Sequence, residues 1–129
     1  MIERVDPPEL PGAHGFSHAV VGTGTTVFLA GQTALGPDGR IEGVNVVAQF
    51  ERALTNLLTA LQAAGGAPDN LASLTVYAVD LVDYRAHARE LGEVWRRLVG
   101  RDYPAMAAVG VSRLWDAEAV IELQGIAVI

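Results

Sequence analysis

Between Val46 and Gln62, apolar side chains return every three or four positions, at Phe50, Leu54, Leu57, Leu58 and Leu61. Gln49, Glu51, Arg52, Asn56 and Gln62 fill the other side. That period gives a helix with one buried stripe. Asn45 is placed to cap its first turn, and Gly65-Gly66 to end it. A second helix reads from Asp83 as its cap and buries Tyr84, Ala88, Leu91, Trp95 and Leu98 before Gly100. Pro104 bars its continuation. Elsewhere the period is that of strands. Val20-Val21 and residues 26–30 read as a hairpin around the loop Gly22-Thr23-Gly24-Thr25, and a turn at Gly36-Pro37-Asp38-Gly39 leads to a short strand over 40–42. Residues 74–81, 105–112 and 119–129 complete the strands, so the predicted order is β-meander, α, β, α, β, β. Three prolines at 7, 8 and 11 make residues 1–12 an extended, partly mobile lead-in, with structure beginning after it. Residues 13–129 then form one domain of the α+β class, a mixed sheet with two helices on one face.

The last strand changes this picture. Ile121, Leu123, Ala127 and Ile129 alternate with Val120, Ile126 and Val128, so both faces are apolar apart from Glu122 and Gln124. Two helices cover one face of a sheet, and the other calls for a second subunit. Composition narrows the chemistry further. Among 129 residues the nine basic side chains are all arginine, and there is no cysteine. Without a lysine, Schiff-base enzymes and the P-loop are excluded. Without a cysteine, so are thiolate nucleophiles, Cys-ligated metals and disulfides. A net charge of −6 at pH 7 repels phosphate backbones, so nucleic acid is not an expected partner. No apolar run reaches the roughly 20 residues of a membrane span, and the start lacks a signal-peptide pattern, which makes a cytoplasmic protein the expectation.

Few residues carry chemistry. His14 and His18 have the i,i+4 spacing of helical metal ligands, but Gly12 and Gly15 argue against a helix there, and no metal site is expected. Ser112, in Gly110-Val111-Ser112-Arg113-Leu114, lacks the second glycine of a nucleophile elbow, and Ser17 lies beside His18 in sequence without the geometry of a triad. The glycine pairs at 22 and 24 and at 36 and 39 open no helix and read as turns. Glu122 stands out, a carboxylate in the middle of an aliphatic strand, where burial disfavours the charged form and prepares acid–base work. A structural role at a wet edge or a subunit interface is the competing reading. Gly31, at the end of the second strand, allows close approach of a ligand to the backbone, or marks a β-bulge.

Taken in order, Gly15-Phe16-Ser17-His18-Ala19-Val20, Ala30-Gly31-Gln32, the run from Tyr77 to Tyr84, Tyr103-Pro104-Ala105-Met106 and the run from Val120 to Val128 resemble the successive motifs of the Rid (YjgF) family, from about residue 13 to the C-terminus. The resemblance implies a chorismate-mutase-like fold and a homotrimer with a central barrel and clefts between subunits. It also implies cofactor-free hydrolysis of enamines or imines of short 2-amino acids. Glu122 matches the family's cleft glutamate, and Gly31 the glycine whose backbone lies against the ligand. Met106 stands where deaminating members have the arginine that pairs with the substrate carboxylate. Phe16 stands where many have tyrosine, and Ala88 where many have asparagine. His18 and Arg113 are further candidate contacts. The loss of a guanidinium removes a charge-assisted pair worth on the order of 1.5–3 kcal/mol. Two functions follow: a cofactor-free imine or enamine hydrolase with an altered substrate, or a non-catalytic trimer that binds a metabolite or protein. The endoribonuclease activity also described for the family is disfavoured by the acidic balance and the absence of lysine.

Overall fold

Asn45 starts the long helix as its residue type predicts. Its backbone is extended, and its side-chain oxygen accepts the Ala48 amide at 2.9 Å. In the computed structural model, which describes residues 1–129, helix α1 runs Val46–Ala63. Gly65, at φ 94°, turns the chain away. The stripe of α1 buries Val46, Phe50, Ala53, Leu54, Leu57 and Leu61 against Leu29, Leu74, Val76, Ile121 and Leu123 of the main sheet. Each fully buried Leu stabilises the fold by about 1.5–3 kcal/mol relative to exposure, so this single layer forms the core. No helix is long and apolar enough to cross a membrane.

The main sheet has the order β3 (Thr26–Gln32), β6 (Ile121–Val128), β4 (Leu71–Ala78), β5 (Ala105–Gly110). β4 and β5 are parallel and the other pairs antiparallel, so the sheet is mixed. A parallel pair needs a crossover, which α2 (Leu81–Ala86) and α3 (Ala88–Leu98) supply. The second predicted helix is therefore two. Asp80, not Asp83, is the cap, its carboxylate accepting the Asp83 amide at 3.0 Å, because β4 ends at Ala78 rather than Leu81. The helix breaks at His87, and Ala88, expected in the core, opens α3 at the surface. Three helices thus replace the expected two.

The hairpin and meander are overturned. β2 (Ala19–Gly22) pairs with β1 (Ile2–Val5), whereas β3 pairs with β6, so the loop between β2 and β3 passes from one sheet to another. The two ends of the chain decide this. The Met1 ammonium donates to the Thr23 carbonyl at 2.6 Å, and the Ile129 and Thr25 backbones exchange bonds of 2.6 and 2.8 Å. Local turn residues allow a hairpin, but the terminal strands outcompete it. Structure consequently begins at Ile2, inside the expected lead-in, where Arg4 reaches the Asp69 carbonyl at 3.4 Å and the Asp102 carboxylate at 3.6 Å. The turn at 36–39 forms, with Gly39 at φ 77°, but residues 40–42 contribute only a bridge between Leu35 and Ile41 and no strand. The face of the main sheet away from the helices is open, with Phe28 79% exposed, Val109 40% and Ile126 37%.

Candidate functional site

On that open face the register sets Glu122 of β6 opposite Tyr77 of β4. Two residues along, Gln124 accepts a hydrogen bond from the Tyr77 hydroxyl at 3.1 Å. Beside Glu122, β3 carries one extra residue between the Leu29–Gly125 and Gln32–Leu123 partners, a bulge that contains Gly31. Both readings of Gly31 meet here. Its φ is not left-handed, so backbone strain does not explain the glycine. Close approach does: a Cβ at this position would strike the Glu122 carboxylate. Glu122 is half-buried rather than enclosed, and none of the five ion pairs involves it. An unpaired carboxylate beside an irregular backbone segment can accept a proton from water or orient it.

Met106 lies elsewhere. Its register partner is Leu74, which points to the helices, while Glu122 shares the opposite face with Tyr77. Within one chain the two positions do not converge. Met106 and Ala88 instead meet across a cavity of about 210 Å³, walled by Tyr84, Trp95 and Tyr103 with His14 at its side. Trp95 stacks on Tyr103 with ring centres 5.0 Å apart and planes 9° from parallel, and its indole N–H donates to the Asp102 carbonyl at 3.0 Å. Burial, followed by the neighbouring Tyr103, raises the Tyr84 phenol above its ordinary range, so it stays neutral.

Segment 14–18 is held over the start of β5 by the buried Ser17, whose hydroxyl donates to the Tyr103 carbonyl at 2.7 Å and whose amide donates to the Pro104 carbonyl at 2.9 Å. Phe16 and His18 stand beside the cavity rather than on its wall. Their rings meet edge to face at 4.9 Å, the His18 ring bonds the Pro11 carbonyl at 2.8 Å, and its amide donates to Asp6 at 2.8 Å. His14 thus lines the cavity, while the His18 ring is bonded to Pro11 beside it. Arg113 folds onto its own loop, donating to the Leu114 and Trp115 carbonyls at 3.1 and 3.3 Å. Sequence reasoning passed over Tyr84, Tyr103 and His14 as cavity walls. The available signal was a phenol, Tyr84, at a position the apolar period assigns to packing.

Comparison with known proteins agrees with this architecture. The family model described as Endoribonuclease L-PSP matches residues 8–129. A RutC family protein of Pyrococcus horikoshii is 32% identical over 128 residues, covering 98% of both chains. A 2-iminobutanoate/2-iminopropanoate deaminase of Capra hircus is 31% identical over 126 residues, covering 96% of this chain and 88% of that one. Among solved structures, a Rid-family protein of Yersinia pestis superposes with a TM-score of 0.87 at 28% identity, covering 99% and 98% of the two chains.

Proposed function

The chain belongs to the YjgF/RutC/Rid family, and from that premise we propose that it hydrolyses an imine or enamine without a cofactor, in clefts between the subunits of a homotrimer. The observation that carries the proposal is the Glu122 carboxylate seated against the Gly31 backbone. Glu122 takes a proton from water as the water oxygen bonds to the imine carbon and the C=N π electrons move to nitrogen. The same carboxyl returns the proton to nitrogen, giving a carbinolamine; the carboxylate then takes the hydroxyl proton and delivers it to the amine as the C=O bond forms and the C–N bond breaks, releasing ammonia. An enamine first accepts a proton at carbon and gives up one of its N–H protons, becoming the imine. A positioned base of this kind contributes about 10²–10⁴-fold to the rate. A neighbouring copy would supply the second wall of the cleft, which accounts for Glu122 and Met106 lying on opposite faces of one sheet. The thioether at 106 has no donor for a carboxylate, so the substrate is a neutral imine rather than one derived from a 2-amino acid.

A second reading has one observation in its favour: the cavity at Met106 contains no arginine. In that reading the chain is a non-catalytic trimer that binds a metabolite or a protein in the same cleft. The experiment is to generate 2-iminopropionate and uncharged imines in situ and to follow ammonia release by the wild type, Glu122→Ala and Met106→Arg. Wild-type hydrolysis of a neutral imine, reduced about 10²–10⁴-fold by Glu122→Ala, is expected. Met106→Arg is expected to gain activity on 2-iminopropionate. Rates no faster than buffer for every imine favour the binding reading.

A further inference from the structure

Gly92 lies in the interior of α3, where glycine costs about 1 kcal/mol of helix stability relative to alanine. Its backbone is not left-handed, and a Cβ built there meets nothing within 4 Å. Neither conformation nor packing within the chain therefore calls for glycine. What the missing side chain leaves is room, because Gly92 and Ala88, one turn apart, line the cavity over Met106. At about 210 Å³ this space exceeds the roughly 150 Å³ that admits benzene in an apolar protein cavity. Its walls are uneven in polarity. Trp95 and Tyr103, stacked one on the other, make up its aromatic part, His14 is the one imidazole on its wall, and no arginine or carboxylate lines it. Of the three tyrosines only Tyr77 has its hydroxyl hydrogen-bonded within the chain, so the Tyr84 and Tyr103 hydroxyls remain free donors.

We propose that this cavity is a binding pocket for an uncharged, ring-sized apolar group of a small molecule, with the Tyr84 hydroxyl donating to a neutral acceptor on that group. The proposal rests on the reading of Met106 and Ala88 as substrate contacts and gives the substrate a class. It is tested by binding rather than turnover, so the two readings fail separately. The competing occupant is a side chain of a second copy lying on the Ala88–Gly92 surface.

The chain has two tryptophans, and Trp115→Phe leaves Trp95, on the cavity wall, as the only fluorophore of its kind. Titrating this variant with benzamide, a neutral aromatic acceptor, is expected to change Trp95 emission saturably. Benzoate, of the same shape but charged, is expected to bind at least tenfold more weakly. Tyr84→Phe in the same background is expected to weaken benzamide at least fivefold, and Gly92→Leu to abolish its binding with the sedimentation coefficient unchanged. Should Gly92→Leu fail to fold, Ala88→Leu carries the same test from the exposed start of the helix. The proposal is overturned by the absence of a saturable response to benzamide, by equal affinity for benzoate, or by no effect of Tyr84→Phe. It is also overturned if the filling variant changes the oligomeric state while benzamide still binds, which would assign the surface to a second copy.

Discussion

Gly31 and Glu122 constrain each other: the carboxylate occupies the space into which any β-carbon at position 31 would project. Gly31→Ala should therefore push aside the Glu122 carboxylate, the far end of a flexible side chain, at a cost of about 0.5–1.5 kcal/mol, that of an off-rotamer side chain. Removing the carboxylate should relieve it. In urea denaturation, the double variant Gly31→Ala/Glu122→Ala is expected to recover most of the stability lost by Gly31→Ala, and strictly additive losses would show that the contact is not the cause. Both residues were legible in the sequence, because a carboxylate interrupts an aliphatic strand and a glycine ends a β-prone run. Their contact was not legible, since it depends on a bulge whose register only the β3–β6 ladder sets. Tyr84 went unnoticed for the opposite reason. Its place in the apolar period was read as core, whereas its side chain lines a cavity that the period does not encode.

At the scale of elements, α1 could be read almost in full, because a cap, an apolar stripe and a glycine stop are local signals. Strand partners could not. The sequence favours a β2–β3 hairpin, but pairing is decided by segments at the two chain ends, which no turn motif announces. The break between α2 and α3 was also hidden, and it carries a titratable joint. The His87 ring bonds the Asp83 carbonyl at 2.8 Å and faces the Asp83 carboxylate at 3.3 Å. Its pKa is raised from 6.5 first by that backbone bond, then by Asp83 and Glu90, with partial desolvation opposing. A raised folded-state pKa means that the protonated ring favours the folded chain. The contribution is complete below about pH 6.5 and is lost as pH rises through the higher folded value. The thermal midpoint of the wild type should accordingly fall slightly across this window relative to His87→Gln. Parallel pH profiles for the two would remove His87 as the source.

For the whole molecule, the open sheet face is the feature that the sequence announced and the single chain leaves unsatisfied. Phe28 is 79% exposed there beside Ile126, in a chain that is half hydrophobic. An exposed apolar face of this kind marks an interaction surface, and in a homotrimer it would meet its copies. Phe28→Glu, which places three like charges near one another in a trimer, should lower the sedimentation coefficient toward that of a monomer. An unchanged trimer would place the contact elsewhere, and a wild-type monomer would remove the intersubunit cleft altogether. The absence of lysine and cysteine fits water chemistry driven by a carboxylate, but it is Glu122 on which the account turns. The most direct measurement is ammonia release from an uncharged imine generated in situ, comparing wild type with Glu122→Ala at matched folding. A rate well above buffer that falls about 10²–10⁴-fold in the variant is the predicted result. Equal rates for the two proteins would contradict it.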